Sequence, residues 1–170
     1  MMVSTGDSLE KLVRDSVKAQ DLAIKQTAPR WRGRVKQGGL IKRGRVVSSG
    51  ELDFTGHVAG RFVTFDAKST QQPSLPLKNI KRNQATICRH RHEEGALAFF
   101  LVEFAGQPEP AYFAVTWPVL KPYWDRFGHG GPSSIPMDVI RSTCSRIDRK
   151  GKTLNLDGAL RTMLGLEVAS

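Results

Sequence analysis

The spacing of apolar and polar positions changes period several times along the chain, and each change predicts an element. Leu9, Leu12, Val13 and Val17 recur at helical spacing with Lys11, Arg14 and Lys18 off their stripe. That pattern predicts an amphipathic helix opening at Ser8, an N-cap residue, and running to about Lys25, with Glu10 in a first turn that favours a carboxylate. Further on, Phe62-Val63-Thr64-Phe65 is a β-branched and aromatic run behind the Gly60 break, so the stretch from Leu52 to Lys68 reads as a short β-hairpin. Side chains alternate along a strand, which sets Asp66 and Lys68 on one face and Val63, Phe65 and Ala67 on the other. A polar loop with Pro73 and Pro76 then leads to a helix predicted from about Leu77 to Glu94, stopped by Gly95. Ile80, Gln84, Ile87 and Cys88 share its inner face.

The run ALAFFLVEF, 96 to 104, is almost unbroken in its apolarity and predicts a central strand buried on both faces. Tyr112 to Val115 predicts the antiparallel neighbour. Pro118 to Phe127 reads as a short helix, followed by a glycine-rich loop at 128 to 131. Ile135 to Ile140 and the basic residues Arg146, Arg149, Lys150 and Lys152 lead to a last amphipathic helix from about Asp157 to Leu164, with Leu160, Met163 and Leu164 inward.

Length and charge narrow the class. The chain has 170 residues, is 39% hydrophobic and carries a formal net charge of +10. One domain with a real core is the default at this size. A polyanion, nucleic acid first, is the partner such a charge attracts. No stretch approaches a membrane span and no signal peptide opens the chain, so the expected location is the cytoplasm, away from membranes. Cys88 and Cys144 form no CxxC pair and read as reduced and structural. From Leu22 to Gly50 there is no acidic residue, while eight cations accumulate: Lys25, Arg30, Arg32, Arg34, Lys36, Lys42, Arg43 and Arg45. Val35, Leu40, Ile41, Val46 and Val47 are enough apolar residues for two short strands, so residues 30 to 50 predict a basic β-arm. Trp31 there could stack on a base or simply pack. Lys78, Lys81 and Arg82, with Arg89 and Arg91, form a second basic set facing phosphate.

The hairpin carries the candidate chemistry. Twelve residues separate Asp53 from Asp66, a distance a hairpin closes, so Asp53, Asp66 and Lys68 can converge. Two carboxylates suit Mg²⁺ or Mn²⁺, which take hard oxygen ligands, and a lysine can orient a water and counter developing charge on a phosphoryl group. An Asp66–Lys68 ion pair on an ordinary strand is the plainer reading. Gln84 is a half-buried helix residue on the same grounds. His90 and His92, two apart on a helix, are a poor metal pair.

The spacing Asp53-x12-Asp66-x-Lys68 resembles the PD-(D/E)xK nuclease motif, with Leu52 in the proline place. The resemblance sharpens across a longer span. DFTG at 53 to 56, GRFVTFDAKST at 60 to 70, PLKNI at 76 to 80 with Gln84 beyond it, FFLVEF at 99 to 104 and YWDRF at 123 to 127 are similar, in order as well as content, to the RecU-type Holliday junction resolvases. The family commonly has Glu where Asp66 stands, one methylene longer. This resemblance implies an α/β, restriction-endonuclease-like core: a central mixed sheet flanked by helices, in one domain, with the arm at about 30 to 50 as a protruding stalk between the first helix and the catalytic hairpin. It implies a Mg²⁺-dependent homodimeric endonuclease that resolves four-way DNA junctions by paired symmetric nicks, alongside host recombination proteins. It assigns Asp53, Asp66, Lys68, Gln84 and Glu10 to catalysis, with Asp53, Asp66 and Glu10 on the metal. DNA would lie on Arg30, Trp31, Arg32, Arg34, Lys36, Lys42, Arg43, Arg45, Lys78, Lys81 and Arg82. The short lead before the first helix is the pattern of a compact, phage-type variant. A duplex-specific repair or restriction nuclease would use the same site residues, and a non-catalytic DNA-binding protein would need only the charge.

Overall fold

The computed structural model describes residues 5–27, 30–35, 41–47 and 51–168, the two segments at 30–35 and 41–47 by their backbone pairing. In chain order the elements are α1 (Thr5–Ala19), β1 (Ala23–Gln26), β2 (Arg30–Val35), β3 (Ile41–Val47), β4 (Phe54–Val58), β5 (Arg61–Thr70), β6 (Ser74–Pro76) and α2 (Arg82–Glu93). There follow β7 (Leu97–Phe104), β8 (Ala111–Thr116), α3 (Trp117–Trp124), β9 (Ser134–Pro136), α4 (Met137–Thr143), β10 (Ser145–Arg146), β11 (Arg149–Lys150), β12 (Thr153–Leu154) and α5 (Leu156–Met163).

A six-stranded sheet of order β1-β4-β5-β7-β8-β10 organises the molecule, antiparallel throughout except for the parallel β5–β7 pair at its centre. A parallel pair needs a crossover, and α2 supplies it. Alternation along the strands splits the core in two. On one face Phe54, Val63, Phe65, Phe99, Leu101 and Tyr112 pack with Leu9 and Val13 of α1 and Leu156 and Leu160 of α5. On the other, Phe100, Val102, Phe113 and Val115 pack with Ala85 and Cys88 of α2, Leu120 of α3 and Ile140 of α4. The first face contains a stack in which Phe65 lies between Phe54 and Phe99, with centroids 5.1 and 4.8 Å apart. This helix–sheet–helix sandwich is the mixed α/β core that the sequence predicts, with β7 in its central place.

Several boundaries differ from the sequence reading. The first helix stops at Ala19 rather than near Lys25, because Asp21 takes a left-handed φ of 49° and the chain turns into β1, where Lys25 is a strand residue. The same helix opens at Thr5, ahead of the Ser8 expected as its N-cap, so Asp7 is the first-turn acid and Glu10 sits in the second turn. The second helix starts at Arg82, not Leu77: Leu77–Asn79 form a 3₁₀ turn and Lys81 is extended at the N-cap. Ile80 is buried all the same, from outside the helix. Within the expected loop after Lys68, Ser74–Pro76 pairs with Ser134–Pro136.

The strands β2 and β3 pair antiparallel as a two-stranded sheet of their own, with Arg30 opposite Val47 and a register shift between Gly33 and Val35. Residue Lys36 and the side chains of Arg30, Trp31, Arg32, Arg34, Lys42, Arg43 and Arg45 lie outside the described residues. Among the described residues no helix is long and apolar enough to cross a membrane.

Candidate active site

The turn of the hairpin sets the site. Val58 and Arg61 close β4 on β5 across Ala59-Gly60, which sit at φ 49° and 76°. Positive φ at both central residues is the turn whose twist matches two paired strands. From there the register runs back to Phe54 opposite Phe65, so the next position on each chain is Asp53 and Asp66. Thr64, on the same face as Asp66, helps hold the pairing by donating its Oγ1 hydrogen to the Phe54 carbonyl at 3.1 Å. Thr27, just past β1, donates its N–H to the Asp53 carbonyl at 2.6 Å and pins the other side.

Asp66 is fully buried beneath α2, and Lys68, two residues on, brings Nζ to 2.5 Å from its Oδ2. That contact is an ion pair without hydrogen-bond alignment, and among the described residues neither Asp66 oxygen has a well-oriented donor. A buried carboxylate in that state is costly unless something else meets it. Asp53 is half-buried, and its carboxyl is pushed up to about 7, first by burial and then by a shared proton and repulsion from Asp66; Lys68 and Lys81 pull it back down. Asp53 therefore holds a proton more readily than a free carboxyl does, because burial and the neighbouring Asp66 both disfavour its charge.

A divalent cation would relieve the same repulsion. Two carboxylates with unpartnered oxygens, flanked by a lysine, fit a hard ion such as Mg²⁺, which keeps several waters and takes one or two protein carboxylates plus phosphate. Among the described residues no group of three or more His, Cys, Asp or Glu side chains forms a metal cluster. Glu10 is engaged elsewhere: its Oε2 accepts from Gln26 Nε2 at 2.7 Å and lies 3.8 Å from Arg14. Gln26 is the partner of Phe54 in the β1–β4 register, so Glu10 is tied to the edge strand beside the hairpin.

Gln84 is half-buried and accepts the Lys81 backbone N–H at 3.1 Å, capping α2. Lys78, Lys81 and Arg82 are exposed around the start of that helix. Lys81 is closer to the chemistry than a phosphate contact alone implies, since its charge acts on Asp53. Its place at the end of PLKNIK, where the chain turns back over the sheet, was the signal in the sequence. Cys88 packs beside Asp66 with its thiol pushed up to about 12 by burial and then by that neighbour's charge, so it stays protonated and structural.

A six-stranded mixed sheet between helices, with paired carboxylates and a lysine on adjacent strands at its centre, defines the restriction-endonuclease-like class. Residues 5–157 match the family model of Recombination protein U. The chain belongs to the RecU family. It is 30% identical over 105 residues to the Holliday junction resolvase RecU of Oenococcus oeni, an alignment covering 61% of this chain and 52% of that protein. It is 27% identical over 162 residues to the enzyme of the same name from Limosilactobacillus fermentum, covering 89% of this chain and 75% of that protein. Against that of Lactococcus lactis it is 32% identical over 97 residues, 56% of this chain and 44% of that protein. The chain thus spans about half the length of several curated relatives it matches.

Proposed function

We propose that this protein is a metal-dependent endodeoxyribonuclease that resolves four-way DNA junctions, acting as a homodimer that places two symmetric nicks. The observation that carries the reading is the convergence, in a RecU-family chain, of Asp53 and the buried Asp66 with Lys68 at 2.5 Å. The three similar proteins described above bear the name Holliday junction resolvase, which supports the choice of junction over linear duplex.

Asp53 and Asp66 would hold the ion, with Mg²⁺ the best match to their oxygen donors and Mn²⁺ the substitute. When bound, the ion supplies Lewis-acid polarisation of the phosphoryl group and of a water. Asp66, dry and fixed by the β4–β5 ladder, defines where the phosphate must come. Lys68 shares that point and offsets charge that develops on the phosphoryl oxygens, an effect that is strong where water is excluded. Lys81 and Arg82 steer the DNA backbone toward the pair. Two-fold symmetry of the junction matches two such sites in a dimer.

The test is nicking of a synthetic four-way junction against duplex of equal length, with and without Mg²⁺. Wild type should cut the junction in paired strands and lose activity in EDTA. Asp66→Asn and Lys68→Ala should each slow single-turnover nicking by at least about 100-fold while junction binding persists, because affinity rests on many phosphate contacts. Cutting at the wild-type rate by either variant would remove that residue from the mechanism.

A further inference from the structure

Beyond the carboxylate pair, β5 runs on into a groove of about 700 Å³ whose walls include Ser69, Gln71, Gln72, Lys78, Asn79 and Ser134. Both walls are continuous in sequence with the site. Ser69 follows Lys68 on β5, and Asn79 ends the 3₁₀ turn that leads to Lys81, whose charge acts on Asp53.

The lining is rich in hydroxyls and primary amides; among the described residues it has no acidic side chain and a single cation, Lys78. A trough for backbone phosphates would concentrate lysine and arginine; this composition instead offers donor–acceptor groups of the kind that read base edges. Among the described residues the side-chain amides of Gln71, Gln72 and Asn79 have no protein hydrogen-bond partner, and both glutamines are exposed. Phe127, half-buried on the groove wall, adds a flat surface on which a base can stack.

The segment that carries the glutamines is held firmly. Thr70 Oγ1 accepts the Gln72 N–H at 3.1 Å, and the Thr70 carbonyl accepts the Ala105 N–H at 2.8 Å. Gly106 lies so close that a Cβ there would come within 2.1 Å of the Gln71 carbonyl oxygen. On the far side, Leu77 donates its N–H to the Ser133 carbonyl at 2.9 Å and Met137 to the Pro73 carbonyl at 3.0 Å, locking the β6–β9 pair over the loop. Fixed backbone with unpartnered amides is what discrimination between bases requires.

We propose that this groove takes a nucleobase next to the scissile phosphate and that Gln71 and Gln72, with Asn79, read its edge, so that they set where along a junction arm the protein nicks. The inference rests on the junction-nuclease reading and adds a sequence-reading subsite to it.

The experiment nicks a pool of four-way junctions randomised around the branch point in Mg²⁺ and sequences the ends. Preference is a ratio within one pool, so it is independent of overall rate. Wild type should favour one base beside the nick by about tenfold, the discrimination a two-point amide contact gives. The double variant Gln71→Ala/Gln72→Ala should flatten that ratio, and Gln72→Arg should move it toward guanine, which arginine reads best. Circular dichroism checks the fold, and the single exposed Gln72→Arg change decides the matter where the double variant does not fold. Even nicking of the pool by wild type, or wild-type preference retained in the folded variants, overturns the subsite. A wild type that leaves every junction intact overturns the nuclease reading itself, and the subsite with it.

Discussion

At Asp53 a single side chain records the balance of forces in the site. Its carboxyl ordinarily titrates near 3.8 and in the folded protein near 7, with burial as the largest cause. A carboxyl raised on folding holds its proton more tightly in the native state, so the stability it contributes is complete below the unfolded value and is lost as pH rises through the folded one. Metal-free protein should therefore melt lower at about pH 8 than at pH 5 on account of this group, and Asp53→Asn should recover the loss at pH 8 while changing little near pH 4. Mg²⁺ added to wild type at about pH 8 should raise the melting temperature, because the ion binds the ionised pair that the empty fold disfavours. Calorimetry of both proteins with EDTA or Mg²⁺ checks all three; a wild-type profile that stays parallel to Asp53→Asn across pH contradicts the assigned strain.

Among the elements, the hairpin was legible because its period of two was unbroken from Phe62 to Lys68 and its glycine marked the turn. The central strand β7 was legible because its apolar run, broken only by Glu103, allows little else. The helix ends were less so. Nothing in the pattern around Lys18 to Lys25 distinguishes a continuing helix from a reversal, since Asp21 breaks α1 through its backbone angle while leaving the polar spacing intact. At Leu77 the apolar spacing continued through a 3₁₀ turn, and only Lys81 in extended conformation resets the helix. The β6–β9 pair is three residues long and pairs segments some sixty positions apart, beyond any local signal. In the site, alternation put Asp66 beside Lys68, but how far Asp53 is desolvated depends on α2 and β1 packing around it. The turn offers a test at this scale. Ala59 holds a φ of 49°, costly for alanine and natural for asparagine. Ala59→Asn should stabilise the protein by about 0.5–1 kcal/mol, seen as a higher urea midpoint at unchanged slope. A lower midpoint would mean that the turn relaxes in solution.

For the whole molecule, the β2–β3 pair stands as a sheet separate from the six-stranded one, which makes its removal a clean experiment. Replacing residues 31 to 46 with a short Gly-Ser bridge should leave the core folded and metal-dependent nicking measurable. Each phosphate that the shortened protein no longer neutralises should make the fall of log affinity with log salt shallower by about 0.9 on duplex-like DNA. If the acid-free arm enters the open centre of a junction, its deletion lowers junction affinity more than duplex affinity, and binding isotherms across a salt series compare the two. An unchanged preference in the folded variant would assign selectivity to the spacing of two sites in a dimer. The two-residue turn has a further consequence, one of order in time. A hairpin closes in about 1–10 μs, whereas the parallel β5–β7 pair must wait for a crossover of more than twenty residues. Asp53 and Asp66 are thus brought together before α2 covers them, and their mutual repulsion is met on the way to the folded state, not after it. Ala59→Asn should then act by speeding refolding while leaving unfolding almost unchanged, a split that stopped-flow mixing reads directly.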